Sequence, residues 1–545
     1  MTEKRGADII AEKLVEAGAT HAFGMPGGEV LGLLDGFLQN GIDFKLTRHE
    51  NAAGFMAEGH WHATGRLPVL VATIGPGAAN AINVVANAMQ DRVPMIFFTG
   101  CVDEIEEHSY THQVFDHRAL LAPIVKGSFR VAKGAVGRIM DKAIRLALDG
   151  QPGPVHIDLP ISVSEKTSPE AYWPLQPMIA PVTPATGPAL QSAREALLKA
   201  KHPLAVAGVD AVNEGAGQEI TDFCTRFNIP LVTSYKGKGL LDESHPLALG
   251  GAGLSPKADK HLMPLIAEAD CLVLLGYDPI EMRTGWRDPW AQDVPVIDIT
   301  PAARYHTMHY ASHTLLGTVR DTLPLLTEGL EPGKERWNSN RPAEVRSALK
   351  EAFSVSKDSS AFGPEQVFDT LHKCLPENTI VTADSGAHRI LVSQMWESTS
   401  PRSFLQSSAL CTMSCAVPLA SGYKMALEET GRDVPVLAFV GDAGLEMGLG
   451  ELATLREYKL PVVVCVLVDE SLALIELKQR NSNRQNSGVD FTGSNFPAIA
   501  EALGGHGVWI DDEETLKAEA DAALKRDCFT LLACRIGRKA YDGKF

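Results

Sequence analysis

The chain has 545 residues, 45% of them hydrophobic and 21% charged, with 50 Lys and Arg against 67 Asp and Glu. That length suits about three or four ordinary domains, and no uninterrupted apolar run reaches the ~20 residues of a membrane span. A formal net charge of −17 leaves no electrostatic footprint for nucleic acid or an anionic membrane surface.

In chain order, amphipathic helices and apolar strands alternate from Ala7 onward, with strands expected at 67–73, 95–98 and 154–159. A stretch at 173–187 holding Pro174, Pro177, Pro181 and Pro184 reads as a linker. A second unit, 188–330, has strands at 204–207, 230–232 and 271–275, and the polar segment 331–361 is a second linker. The third unit, 362–545, opens on a strand at 379–382. The fold class is α/β, with three doubly wound parallel-sheet domains at 1–172, 188–330 and 362–545. The start, Met1 to Gly6, has no apolar signal core, so a cytoplasmic protein is expected. Nine cysteines without Cys-x-x-Cys pairs read as reduced and mostly buried, with neither a disulfide framework nor a zinc site. His306, His309 and His313 have helical spacing, but Pro301, Tyr305 and Tyr310 favour a surface or interface segment over a zinc site. Neither a Gly-Lys-Ser/Thr phosphate loop nor a Gly-x-Ser-x-Gly elbow is present, which removes the common nucleotide and ester hydrolase readings.

The most informative stretch lies between Gly441 and Ser471. The apolar run 434–440 reads as a buried parallel strand ending in the turn Gly441-Asp442-Ala443. The Asp442 carboxylate therefore projects from the carboxyl end of its strand, where open α/β sheets bind ligands. A helix at 452–458 follows, and the run 461–468 (PVVVCVLV) is the next buried strand, which delivers Asp469, Glu470 and Ser471 to the same edge. Two carboxylates thus meet where a hard cation of magnesium size, which takes oxygen ligands, can be held beside a diphosphate. Alone, Asp442 is an ordinary turn residue and Glu50 an ordinary helix-start acid; the constellation carries the information.

Three more segments stand apart from that motif: Phe23-Gly24-Met25-Pro26-Gly27-Gly28, Arg48-His49-Glu50-Asn51-Ala52-Ala53, and Gly75-Pro76-Gly77 with Asn80. Together with the Gly441 to Ser471 motif they resemble thiamin diphosphate enzymes through most of the chain. The likeness is nearest to the acetolactate synthase branch. At Asp469, at His112-Gln113 followed by Asp116, and at 276–281 the chain is similar to the flavin-independent, catabolic type of that branch.

The resemblance implies pyrimidine-binding, middle and diphosphate-binding domains. In the family the first and last of these face each other across the cofactor from different subunits, as a homodimer or homotetramer. It implies thiamin diphosphate held by Pro26, Thr73, Pro76 and Asn80 on one side. On the other side stand Gly386, Ala387, His388, Cys411, Met413, Gly441, Asp442, Ala443, Gly444, Asp469, Ser471, Leu472 and Ala473. Mg2+ would take the carboxylates of Asp442 and Asp469 and the backbone carbonyl of Ser471. Met413 would wedge the cofactor into its bent conformation, and Gly444, Leu445 and Glu446 would continue the loop around the phosphates. Ala387 stands where the family's synthases often carry Gln, which leaves one diphosphate contact open.

Glu50 would hydrogen-bond the aminopyrimidine ring and help deprotonate the thiazolium carbon. His112 and Gln113 would donate hydrogen bonds to a carbonyl or an oxyanion. No FAD is expected, because Asp278 and Pro279 stand where flavin-binding relatives usually present an arginine. Lys478, placed where biosynthetic synthases have tryptophan, and the polar loop 480–488 lie where acceptor specificity is set. The implied activity is carboligation of a 2-oxo acid, most simply pyruvate giving 2-acetolactate and carbon dioxide. Alternatives are a non-ligating 2-oxo acid decarboxylase, another C–C lyase or acyltransferase of the family, and a cofactor-binding protein without turnover.

Overall fold

The apolar runs form three sheets of six strands each, parallel throughout. Helices cover both faces, which is why these strands are hydrophobic without alternation. The computed structural model describes residues 3–331, 336–337, 339–355 and 362–545. Of the second expected linker, residues 332–335, 338 and 356–361 lie outside the described residues, and Arg341–Ala352, contrary to the expectation, is a helix that buries Val345 and Leu349.

In spatial order the first sheet runs Asp43–Leu46, His21–Met25, Val69–Ala72, Met95–Cys101, Pro154–Pro160, Gly127–Arg130. The third runs Phe404–Gln406, Ile380–Ala383, Val436–Gly441, Val463–Val468, Thr530–Arg535, His506–Ile510. The two have the same strand order. In each, the order reverses between the first-formed strand and its third-formed neighbour, the place where an open sheet leaves a crevice at the carboxyl ends. The middle sheet differs: Ala248–Ala252, Leu231–Ser234, Pro203–Ala207, Cys271–Leu275, Val296–Thr300, His313–Leu316.

Residues 170–187 form no helix or strand, and the chain re-enters regular structure at the helix Pro188–Lys199, whose first-turn proline is pre-set for a helix start. The segment 301–312 is not helical. There the His306 and His309 rings lie 4.6 Å apart, with His309 packed on Tyr277 and Trp290, while His313 opens a strand. All nine cysteines are free. Among the described residues, no helix is long and apolar enough to cross a membrane.

The first and third units are joined by the crossing of helices Glu50–Thr64 and Ala416–Glu429. A Cβ at Gly59 would lie 2.1 Å from the Leu419 carbonyl oxygen, and one at Gly422 would lie 1.9 Å from that of Met56. The two backbones therefore touch. Around this contact Phe55, Met56, Leu419 and Tyr423 belong to one apolar core shared by both units.

Candidate active site

In the third sheet the reversal point falls between Ile380–Ala383 and Val436–Gly441. From the first strand the chain passes through Asp384-Ser385-Gly386 into the helix Ala387–Met395, and from the second through Gly441 into the short helix Asp442–Met447. Above them lies a cavity of about 180 Å³. Gly386, Ala387 and His388 line it from one side, Cys411 and Met413 from below, and Gly441, Asp442, Ala443 and Gly444 from the second strand. Asp469, Ser471, Leu472 and Ala473 close it from the next strand end. The structure thus brings together every residue assigned above to the diphosphate side except Leu445 and Glu446, which do not line the cavity.

Sequence reading missed Leu474, Ile475 and Tyr541, which line the same cavity. Tyr541 is 4% exposed although it lies near the end of a polar, aperiodic segment, where no pattern signals burial. Lys478 is exposed and does not line the cavity. Gly444, Leu445 and Glu446 are not loop, contrary to the expectation, but part of the helix Asp442–Met447. The Asp442 Oδ1 accepts from the Ala443 N–H at 2.8 Å, satisfying one of the donors that a helix start leaves unpaired.

Charge is concentrated at the 442 and 469 strand ends. Asp442 Oδ2 accepts from the Asp469 and Glu470 N–H groups at 3.1 and 2.7 Å, and Asp469 Oδ1 accepts from the Ser471 N–H at 3.2 Å. Burial, reinforced by the charge of Asp442, pushes the Asp469 carboxyl up to about 8. Asp442 is raised too, chiefly by burial. Two buried carboxylates without a cation are unfavourable. The Ser471 hydroxyl donates to Asp490 at 2.7 Å. His388, buried with Nε2 unpartnered, is brought down to about 3 by burial and then by Arg389. It is a neutral ring with a free polar atom at the cavity wall.

The remaining assigned residues lie elsewhere, at the carboxyl ends of the first sheet's strands; none of them lines that cavity. Glu50 begins its helix, is 5% exposed, and accepts from the Asn80 side-chain amide at 3.0 Å. Its Oε1 is 3.3 Å from where a Gly77 Cβ would stand. Pro26, Pro76 and Asn80 are exposed on the same edge, while Thr73 donates to Glu29 at 2.6 Å.

His112 and Gln113 are exposed in the loop after Met95–Cys101. Gln113 sits over the glycine turn: a Cβ on Gly75, whose φ is +66°, would lie 2.4 Å from the Gln113 carbonyl oxygen. Only glycine fits there. Beneath, the Gly75 N–H donates to His117 Nε2 at 3.1 Å, so His117 Nδ1 carries the proton shared with Asp158 at 2.9 Å. Both ring nitrogens of His117 are engaged within the fold.

Four non-glycine residues with left-handed backbone cluster at these edges: Gln113, Cys411, Ser414 and Glu470. Such conformations cost about 1–3 kcal/mol each and gather at functional sites. Asp384 supports one of them, since its buried carboxylate accepts from the Ser414 and Cys415 N–H groups at 2.7 Å each and holds the turn below Met413.

Three family models match in order along the chain. Residues 4–120 match the N-terminal TPP binding domain of thiamine pyrophosphate enzymes, 190–326 their central domain, and 384–534 their C-terminal TPP binding domain. The chain belongs to the thiamine pyrophosphate enzyme family. It is 30% identical over 541 residues to the acetolactate synthase isozyme 3 large subunit of Escherichia coli strain K12, covering 96% of this chain and 92% of that one. It is likewise 30% identical over 519 residues to the acetolactate synthase large subunit of Lactococcus lactis, covering 94% and 89%. A probable acetolactate synthase large subunit of Methanocaldococcus jannaschii is 30% identical over 541 residues, with 95% and 90% covered. This is a thiamin diphosphate-dependent enzyme whose two cofactor-binding domains carry the two separate sets of residues described above.

Proposed function

We propose that the protein is a magnesium-requiring carboligase that joins two molecules of pyruvate to 2-acetolactate with release of carbon dioxide. The observation that carries this reading is the placement of Glu50: a buried carboxylate beside the glycine turn of the N-terminal domain, where cofactor binding alone has little use for one. The relatives named above add the substrate class. Thiamin diphosphate, when bound, supplies a nucleophilic carbon and stores the electron pair left as carbon dioxide departs.

The third-sheet cavity fits the diphosphate end. It offers the N-terminus of the Ala387–Met395 helix, the free Nε2 of His388, and a carboxylate pair that calls for a divalent cation. Asp442, Asp469 and the Ser471 carbonyl would hold Mg2+, and Met413 would pack below the cofactor. Glu50, Asn80, Pro26, Thr73 and Pro76 would take the pyrimidine end. Because a single chain keeps these two sets apart, the reading requires a homodimer or a homotetramer, with the first domain of one subunit meeting the third domain of another. Glu50 would then hold and return a proton at the ring, while His112 and Gln113 donate to the oxygen that gains charge during addition.

No flavin is part of this reading. At the reversal point of the middle sheet, between Pro203–Ala207 and Cys271–Leu275, Arg304 is paired with Asp210 and donates to the Tyr277 carbonyl. Arg92 of the first unit holds Asp278 at 2.8 Å. Each of these two arginines is thus held by an acidic side chain.

Incubation with pyruvate, thiamin diphosphate and Mg2+ is expected to release carbon dioxide and yield acetolactate by mass spectrometry, from a preparation with no visible flavin band. Acetaldehyde in its place would move the enzyme to the decarboxylase reading.

A further inference from the structure

All three units meet at one buried polar junction that none of the assigned site residues explains. Asp91 of the first unit, 3% exposed, accepts through Oδ2 from the Ser408 N–H and through Oδ1 from the Ala409 N–H, each at 3.1 Å. Asn87, fully buried, accepts from the Ser407 hydroxyl at 2.6 Å and donates to Glu58 at 3.0 Å. Those three residues of the third unit begin the loop that carries Cys411 and Met413 into the cavity. Within the third unit the same loop is also held by Arg389, which donates to the Ser407 carbonyl at 2.6 Å, and by Asp384, which accepts from the Ser414 N–H at 2.7 Å.

The middle unit supplies the counter-charge. Lys236 Nζ lies 2.9 Å from Asp91 and 3.5 Å from Glu58, and the backbone N–H of Lys236 donates to Glu281 at 3.1 Å. His62 Nε2 approaches the same Glu58 at 3.3 Å, and burial keeps that ring neutral. Around the junction, then, the side chains of Asp91, Glu58 and Glu281 surround a single ammonium, with burial raising Glu58 and pushing Glu281 up to about 8. Without the ammonium, Asp91 would be a buried, unpaired charge, and such a group either takes up a proton or moves toward water. Either response disturbs the acceptor of both loop N–H groups, those of Ser408 and Ala409.

We propose that Lys236 and Asp91 are positioning residues for the reaction, which set the 407–413 loop against the cofactor and so make the middle unit a participant in cofactor binding. The proposal rests on reading the cavity as the cofactor site.

Cys411, an exposed thiol on the loop, reports loop geometry without cofactor or turnover. Its labelling rate with a dithiobis-nitrobenzoate reagent, assigned by the loss of that phase in Cys411→Ser, is measured beside the Kd for thiamin diphosphate with Mg2+. Lys236→Met and Asp91→Asn are expected to change the labelling rate by about ten-fold or more and to weaken cofactor binding by a similar factor. Lys236→Arg should recover both. If Lys236→Met does not fold, the near-isosteric Asp91→Asn carries the test.

Unchanged labelling in either folded variant overturns the proposal, whether or not cofactor binding suffers. So does an equal change from Phe223→Leu, a core substitution elsewhere in the middle unit that should leave the loop alone. Changed labelling in a protein whose wild type binds no thiamin diphosphate would support the loop assignment and sink the cofactor reading of the cavity.

Discussion

Replacement of Glu50 by Gln is expected to lower kcat with pyruvate by about 10²–10⁴-fold, the range ascribed to a positioned proton-transfer group, while thiamin diphosphate remains bound. The substitution keeps size and leaves an oxygen for the Asn80 amide, so the local packing has little reason to change. What is lost is the charge. Its contribution to the helix start is about 0.3–1 kcal/mol, far too small to imitate such a fall in rate through instability. Steady-state rates should therefore be read alongside the cofactor released from dialysed, denatured protein. Activity within a few-fold of wild type would refute the role given to Glu50, and loss of activity together with cofactor would reduce it to a binding residue.

The second large effect is expected at the metal. Asp442→Ala should abolish Mg2+-dependent retention of thiamin diphosphate through dialysis, as chelation should in the wild type. Alanine also removes the acceptor for the Asp469 and Glu470 N–H groups. Asp442→Asn, which retains an acceptor oxygen, separates the two causes: if it retains cofactor like wild type, the carboxylate charge is not what holds the ion.

The pH dependence follows from Asp469. Its folded value of about 8 lies above an ordinary carboxyl, so below about 8 a proton must leave before the cation can bind. Apparent Mg2+ affinity should rise with pH toward 8 and level off above it, and a flat profile between 6 and 8 would contradict the site. Subunit mixing joins both variants. Inactive Glu50→Gln and inactive Asp442→Ala chains, unfolded and refolded together, should regain about a quarter of wild-type activity, because a hybrid pair holds one intact site. No recovery would argue against a site built between chains.

Why is so much of this legible in the amino-acid sequence? The strands at 434–440 and 461–468 are uninterrupted apolar runs, and only a strand covered on both faces needs them; they lie at Val436–Gly441 and Val463–Val468. Once these two are parallel neighbours, Asp442 and Asp469 must emerge on one edge. Strand order is another matter. That the first and third sheets share one order depends on pairings between residues far apart in the chain, which local pattern does not encode.

The same limit hides Tyr541, buried by a segment without periodicity, and the Lys236–Asp91 pair, whose members look like solvated charges until three units close around them. The left-handed residues are hidden for a different reason. Glycine advertises that conformation, whereas Gln113, Cys411, Ser414 and Glu470 adopt it because tertiary contacts hold them there. The helix at Asp442–Met447 also overrides a loop expectation, since Gly444 and Gly448 argue locally against a helix.

The touching backbones at Gly59 and Gly422 have a consequence for how such a chain can vary through time. At most packed contacts a larger side chain on one element can be matched by a smaller one opposite, so paired changes keep a route open. Here each added carbon would meet main-chain atoms of Leu419, Tyr423 or Met56, which no substitution can shrink. Neither position can rescue the other. The two glycines should therefore be fixed independently, and drift in the rest of both helices must proceed around them.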